Sequence, residues 1–370
     1  MNDLKKASSK IAIFLPNLKG GGAERVNLEL ARALSKLGHT VEFVLVNYEG
    51  ELLAEAEAEF SVVGLGNPKN WMIPFTVANY IRKNKPDAVL ISMWALTVLT
   101  VFSQFFCLRS CKFILIEHSI LSNQFKQKKF LYQIFLRLSV IFGYRLAHAC
   151  VGVSAGVVKD MSDLSRMPVN RFHIIYNPVP LRKEPDFEAI EHAKSFWGEG
   201  IQYKIIAVGS LKEAKNFSLL LQAIAILREN IELSLVILGE GDLRSTLEAE
   251  AQRLQIDKQV IMPGFVKDPT AYYYAADLFV LSSIREGLPT VLLEAMACGL
   301  PVVSTDCESG PAEILQNGEF GTLVPVNDAI KLAEAIEYAL KNKPDIGKLR
   351  ARALDFVPEI AAARYLELVK

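Results

Sequence analysis

A chain of 370 residues is long enough for two domains, each with its own apolar core. Hydrophobic residues make up 51% of it, which excludes a disordered polypeptide. Basic and acidic residues number 41 each, so the formal net charge is zero and no nucleic-acid partner is expected.

The charge is unevenly placed along the chain. From Ala88 to Lys159 there is one acid, Glu117, against Arg109, Lys112, Lys126, Lys128, Lys129, Arg137, Arg145 and Lys159. This basic, aromatic-rich stretch points toward an anionic surface or an anionic acceptor, with a merely solvated basic face as the competing reading. The cysteines at 107, 111, 150, 298 and 307 are odd in number and show no metal or redox spacing. That fits reduced thiols in a cytosolic compartment. The N-terminal run from Met1 to Lys6 has no apolar segment behind it and does not read as a signal peptide.

In chain order, the first element is a strand, Ile11–Leu15, followed by a glycine-rich turn and a helix. Val26, Leu30, Leu34 and Leu37 recur at helical spacing, and Gly38 closes the helix. Further strands are expected at Val41–Val46, 61–65, 89–93, 112–116 and 149–153, with helical patterns between them. Residues 88–108 carry no charge and are long enough to cross a bilayer. Lys85-Pro86-Asp87 before them marks a strand entry instead, so they read as a buried strand followed by a buried or interfacial helix. After Tyr176 a polar stretch rich in Lys, Glu and Pro runs to about Gly200 and reads as a linker.

A second series of strands then begins: Tyr203–Val208, Ser234–Leu238, Val260–Met262, Leu278–Leu281, Val302–Ser304 and Gly321–Val324. Helices are expected at about 216–229, 242–254, 289–298 and 328–340. Alternating strands and helices imply parallel sheets covered on both faces. The expected domains are 1–180 and 200–355, with a final helix at about 356–370. Ligands of such sheets bind at the C-terminal strand ends, which here means a cleft between the two halves.

Candidate chemistry gathers at these strand ends. Gly20-Gly21-Gly22 follows the first strand and opens a helix, allowing close backbone approach to an anion. A dinucleotide fingerprint needs glycine where Arg25 stands and an acid at the end of the second strand, near Asn47, so the dehydrogenase reading is weak. His118 follows the strand Lys112–Ile116. Lys215 follows the strand Tyr203–Val208, in Gly209-Ser210-Leu211-Lys212-Glu213-Ala214-Lys215-Asn216. Glu286 and Glu294 are eight residues apart around a Gly287-Leu288-Pro289 turn and a helix start. Backbone N–H groups of Gly287 and Leu288 at that helix start suit a phosphate, and the carboxylate of Glu294 suits a ribose. No Asp-x-Asp pair, P-loop, zinc cluster or Gly-x-Ser-x-Gly elbow occurs.

The Glu286…Glu294 segment, with its Ser-Ser lead-in and Gly-Leu-Pro-Val-Val exit, resembles the E-x7-E signature of retaining glycosyltransferases of the GT-B fold, family 4 in particular. The run from Gly209 to Asn216, the Gly239-Glu240-Gly241 turn near the nucleotide, Pro263-Gly264-Phe265 and Asp306–Glu313 are similar to family segments too. The resemblance covers nearly the whole chain. It implies a metal-independent transferase without cofactor, with two Rossmann-like domains and the last helix packed back on the first. Gly22, Ser210, Lys215, Gly287, Leu288 and Glu294 would bind a nucleotide-sugar donor. Glu286, His118 and Lys215 would serve the reaction, with His118 beside the donor sugar. One departure stands out: the family's arginine position is Ser210 here.

No protein nucleophile is evident, so front-face attack by the acceptor is the expected route. The helix expected over Phe125–Arg137, with Lys126, Lys128, Lys129 and Arg137, would lie on an anionic membrane surface. Core packing is the competing reading for Phe130, Ile134 and Leu138. The implied protein is a cytoplasmic, peripheral enzyme of bacterial surface glycan assembly. It would move a HexNAc or hexose from a UDP-sugar to a polyprenyl-diphosphate-linked glycan. The alternatives are a soluble transferase with a small acceptor, or a nucleotide-sugar-binding protein without turnover.

Overall fold

In a computed structural model the chain is described over residues 8–107 and 111–370. Arg109, the last residue of the apolar run 88–108 and the N-terminal Met1–Lys6 segment lie outside them. The residues divide into two compact units: Met1–Pro178 with Pro358–Lys370, and Val179–Val357.

Unit 1 runs β1 (Lys10–Leu15), α1 (Gly22–Lys36), β2 (Thr40–Leu45), α2 (Leu53–Glu59), β3 (Ser61–Gly64), α3 (Ile73–Asn84), β4 (Ala88–Ser92), α4 (Leu96–Val101), β5 (Lys112–Glu117), α5 (Leu121–Gln124), α6 (Phe130–Leu146), β6 (Ala149–Gly152), α7 (Ala155–Ser165) and β7 (Phe172–Ile174). Its parallel sheet has the order β3-β2-β1-β4-β5-β6-β7. Ile13 pairs with Phe43 on one side and Leu90 on the other. Both faces of such a sheet are covered, so successive residues are apolar whatever their parity: Ile11, Ala12, Ile13, Phe14 and Leu15 are all fully buried.

Unit 2 runs α8 (Phe187–Ser195), β8 (Tyr203–Val208), α9 (Phe217–Leu227), β9 (Leu233–Leu238), α10 (Arg244–Arg253), β10 (Val260–Gly264), α11 (Thr270–Ala275), β11 (Leu278–Leu281), α12 (Thr290–Ala297), β12 (Val302–Thr305), α13 (Pro311–Ile314), β13 (Thr322–Val324), α14 (Ala329–Lys341) and α15 (Ile346–Ala353). Its sheet has the order β10-β9-β8-β11-β12-β13. Leu220, Ile224, Ile237, Leu278 and Ile336 meet in its core. The last helix, α16 (Pro358–Val369), belongs to unit 1 and packs on α1.

Two expectations need correction, one strand was missed and one open alternative is decided. The stretch read as a linker up to Gly200 is part of unit 2, where α8 packs on α11. Trp197 is 2% exposed there and donates its indole N–H to the Ile205 carbonyl at 2.9 Å. A polar, proline-containing composition hid one buried anchor. The strand β7 was not expected, because three residues give too little pattern. The helix expected over Phe125–Arg137 is interrupted: α5 ends at Gln124 and α6 begins at Phe130, with Asp186-like side-chain capping absent at its Lys129 cap. Lys126, Lys128 and Lys129 therefore sit in an exposed loop, and only Arg137 is helical. Finally, Phe130, Ile134 and Leu138 are not core residues, being 75%, 38% and 49% exposed.

Among the described residues no helix is long and apolar enough to cross a membrane. Residues 88–101 form the buried strand β4 and then α4.

Candidate active site

In each sheet the strand order reverses at one point, between β1 and β4 in unit 1 and between β8 and β11 in unit 2. Doubly wound sheets leave their ligand crevice beyond the C-terminal strand ends at this position. The sequence motifs fall on these ends.

In unit 2, Lys215 lies in the loop after β8 and Glu286 in the loop after β11. Their side chains form an ion pair, with Lys215 Nζ 2.7 Å from Glu286 Oε1. The same carboxylate oxygen accepts a hydrogen bond from Ser283 Oγ at 2.6 Å. Ser282 Oγ donates to the Lys215 carbonyl at 2.9 Å, and the Ile284 N–H donates to the Ala214 carbonyl at 2.9 Å, so the two loops are stitched together. Thr305 at the end of β12 donates to the Ser283 carbonyl at 2.5 Å. The pair is mostly shielded, with side-chain exposures of 19% and 12%. A cation and an anion held this way present opposite charges within one small patch.

The turn after Glu286 is braced from behind. Ser309 Oγ donates to the Gly287 carbonyl at 2.9 Å. Gly310 has φ +94°, and a Cβ there would stand 2.5 Å from Pro289 Cδ, so this loop needs glycine. Gly287, Leu288 and Pro289 are buried, and α12 starts directly after them without a side-chain cap. Its first turn carries no acid, which leaves the positive end of the helix uncompensated by its own side chains.

Glu294 lies one turn into α12. It accepts from Tyr273 Oη at 3.2 Å and lines a 450 Å³ cavity with Arg182, Thr270 and Arg350. Ser210 is exposed in the loop after β8. The Gly239-Glu240-Gly241 turn has a packing role. A Cβ on Gly239 would stand 2.0 Å from the Gly209 carbonyl oxygen, and one on Gly241 2.5 Å from that of Leu211. The turn supports the Lys215 loop from behind.

In unit 1, Gly20 (φ +83°) turns the chain after β1 and Gly21 caps α1 without a side-chain hydrogen bond. A Cβ added to Gly22 would meet nothing within 4 Å. His118 Nε2 lies 3.2 Å from Ser92 Oγ, at the end of β4. Ser92 in turn meets Asn27 of α1, whose Nδ2 donates to Ser92 Oγ at 3.2 Å and to the Ala23 carbonyl at 2.8 Å. A chain of contacts thus joins the glycine-rich turn to His118. Neither Asn27 nor Ser92 was singled out from the sequence. The available signal was a polar side chain inside each apolar run, 1% and 0% exposed. Burial lowers the His118 imidazolium to about 4, against an opposing contribution from Asn177, so the ring is neutral near pH 7.

Glu117, next to His118, is 1% exposed. Burial raises its carboxyl to about 7 despite hydrogen bonds from Thr97 Oγ1 (2.8 Å), Tyr144 Oη (3.0 Å) and the Trp94 N–H (3.2 Å). Lys126, Lys128, Lys129 and Arg137 are exposed on unit 1. Among the described residues no cluster of His, Cys, Asp or Glu has the arrangement of a metal site.

Comparison with known proteins is consistent along the chain. Residues 20–183 match the family model Glycosyltransferase Family 4, and residues 191–355 match Glycosyl transferases group 1. The N-acetylgalactosamine-N,N'-diacetylbacillosaminyl-diphospho-undecaprenol 4-alpha-N-acetylgalactosaminyltransferase of Campylobacter jejuni is 29% identical over 94% of this chain and 96% of its own. The amylovoran biosynthesis glycosyltransferase AmsD of Erwinia amylovora is 26% identical over 83% and 84%. Among solved structures, Anabaena HepE in complex with UDP-glucose superposes with a TM-score of 0.84 at 20% identity, covering 97% of this chain and 98% of that one. Two parallel-sheet units of this topology, each matched by a glycosyltransferase model, make the chain a glycosyltransferase of the GT-B fold.

Proposed function

We propose that the protein is a retaining, metal-independent glycosyltransferase of bacterial surface glycan assembly. It moves a HexNAc or hexose from a UDP-sugar to a polyprenyl-diphosphate-linked glycan at the inner face of the cell membrane. The observation that carries this reading is the Lys215–Glu286 pair beneath the start of α12. The acceptor class is supported by the Campylobacter relative, whose name places its acceptor on diphospho-undecaprenol.

In the proposed reaction the bond from the anomeric carbon to the β-phosphate oxygen breaks and a bond to the acceptor oxygen forms on the same face. The acceptor proton passes to the leaving phosphate oxygen. Lys215 and the N-terminal amides of α12 offset the charge gained by the diphosphate, which is how a protein replaces a metal ion in this role. Glu286 exchanges part of its bond to Lys215 for sugar hydroxyls and opposes the positive charge growing on the ring. Ser210 adds a hydrogen bond where a second cation would otherwise stand. Glu294 holds the ribose. Neutral His118 offers a hydrogen bond without adding charge.

The test is nucleotide release from UDP-, GDP- and ADP-sugars, with and without bacterial lipid extract, for the wild type and Glu286→Ala. Release from a UDP-sugar that needs lipid, and falls by well over tenfold (~1.4 kcal/mol) in the variant with nucleotide affinity retained, is expected. A variant within tenfold of the wild type removes Glu286 from the reaction. Nucleotide binding without release from any donor would favour a binding protein.

A further inference from the structure

The helix α4, the 3₁₀ turn Phe102–Phe106 and α6 enclose a groove of 680 Å³ on unit 1. Val98, Leu99, Phe102, Phe135, Leu138 and Phe142 line it. The α6 members recur at i, i+3 and i+7 and are 56%, 49% and 59% exposed. A helix of a water-soluble fold normally turns polar residues outward at this spacing, so two turns of outward apolar surface call for an apolar ligand.

The groove is preformed. Glu117 accepts from Thr97 on α4 and from Tyr144 on α6, which fixes the two walls to one buried carboxyl group. Gly143 lets them approach: a Cβ there would stand 2.8 Å from Val98 Cγ1. Arg145 lines the far end, its guanidinium held by the Ile141 and Ser165 carbonyls, and the near end is flanked by a cluster of lysines. Lys126, Lys128 and Lys129 are exposed in the loop that enters α6, and Gln133 Nε2 holds that loop by donating to the Lys126 and Lys128 carbonyls at 2.9 and 3.2 Å. Phe135 lies six residues beyond Lys129, about 9 Å along the helix. Trp94 joins the two ends, with its ring 5.0 Å from Phe125 and 6.3 Å from Phe135, and its indole N–H donating to Ser139 Oγ at 3.0 Å. From Cys111 to Lys159 the one acid is the buried Glu117, so no negative side chain of this stretch opposes an anion at the lysines.

A positive end and an apolar groove beside it match an amphiphile with an anionic head and one long hydrocarbon chain. A bilayer surface would be met by protruding residues instead, and Phe130 and Leu131 supply those outside the groove, 75% and 78% exposed. The volume is also that of a site enclosing a small molecule or a piece of chain. We propose that this groove binds the first isoprenoid units of the acceptor's polyprenyl chain, with its diphosphate at Lys126, Lys128 and Lys129. This inference rests on the lipid-linked acceptor proposed above.

The experiment is a titration of the full chain followed by intrinsic tryptophan fluorescence, to which Trp94 beside the groove contributes, with inorganic diphosphate, geranyl diphosphate and geranylgeranyl diphosphate in micelle-free buffer. Three proteins are compared: wild type, Leu138→Glu/Phe142→Glu and Phe130→Ser/Leu131→Ser. For the wild type, affinity is expected to rise with chain length, by at least about tenfold from geranyl to geranylgeranyl diphosphate. The groove variant loses that dependence and the Phe130/Leu131 variant keeps it. Equal binding of all three probes by the wild type would overturn the proposal without recourse to any variant. So would a chain-length gain that persists in the groove variant. Loss of cosedimentation with anionic phospholipid vesicles in the groove variant, with no chain-length dependence in the wild type, would assign the face to the bilayer and also overturn it. The titration involves no donor, so its failure is distinct from a failure of nucleotide release.

Discussion

At the scale of single residues, Glu117 is the most consequential side chain that no motif contains. Its carboxyl is raised from 4.5 to about 7 by burial, with Tyr144 and Asp160 the ionisable groups that act on it. The native state thus holds its proton where the unfolded chain has released it. The associated stability is full below pH 4.5 and is lost as pH rises through 7. The Glu117→Gln variant removes this dependence. Relative to wild type it is expected to gain up to about 3 to 4 kcal/mol between pH 4.5 and 8, the free-energy equivalent of raising the carboxyl from 4.5 to about 7. His118 has the opposite sign, losing stability as pH falls from 6.5 to about 4, and is common to both proteins. Urea unfolding at pH 4.5, 6 and 8 reads the difference, and a flat difference would mean that the carboxyl is not displaced.

At the scale of elements, the glycines divide into two groups that a sequence pattern treats alike. Gly239 sits at φ +148°, with the Gly209 carbonyl oxygen 2.0 Å from where a Cβ would stand. Alanine there must displace the loop that carries Lys215, at a cost of about 3 kcal/mol. The space beside Gly22 is open, so Gly22→Ala is expected to unfold within about 0.5 kcal/mol of wild type. Chemical denaturation of the two variants checks both statements. A stable Gly239→Ala protein would refute the supporting role of that turn. The element hardest to read from sequence was α8. The stretch from Pro178 to Gly200 around it has the Pro, Lys and Glu content of a linker, and Trp197 ties it to β8.

At the scale of the whole molecule, the chain order and the spatial units differ. α16 ends the sequence but is part of unit 1, where Ala361, Ala362, Tyr365, Leu366 and Val369 are buried. Truncation after Val357 is therefore expected to lower the unfolding transition of unit 1 and leave that of unit 2 in place. Differential scanning calorimetry with and without UDP separates the two, because a nucleotide held by unit 2 raises only its own transition. An unchanged scan would mean that α16 contributes nothing to unit 1.

Most strands, the glycine-rich turn, the Lys215 loop and the Glu286–Glu294 spacing were legible in the sequence. Each is a local pattern: buried parallel strands read as apolar runs, and a turn at a strand end needs its own residues. Partnership between such segments was not legible. That Lys215 meets Glu286, that Asn27 reaches His118 through Ser92, and that Glu117 clamps α4 to α6 are contacts between residues 20 to 71 apart in the chain. The exposure of Phe135, Leu138 and Phe142 belongs with them, since helical periodicity shows that three residues share a face and not what covers it. The sequence determined the two βα series and the chemistry at their strand ends. The tertiary structure decided which of those groups touch, because strand order and helix packing are set by burial across the whole chain and not by any one segment.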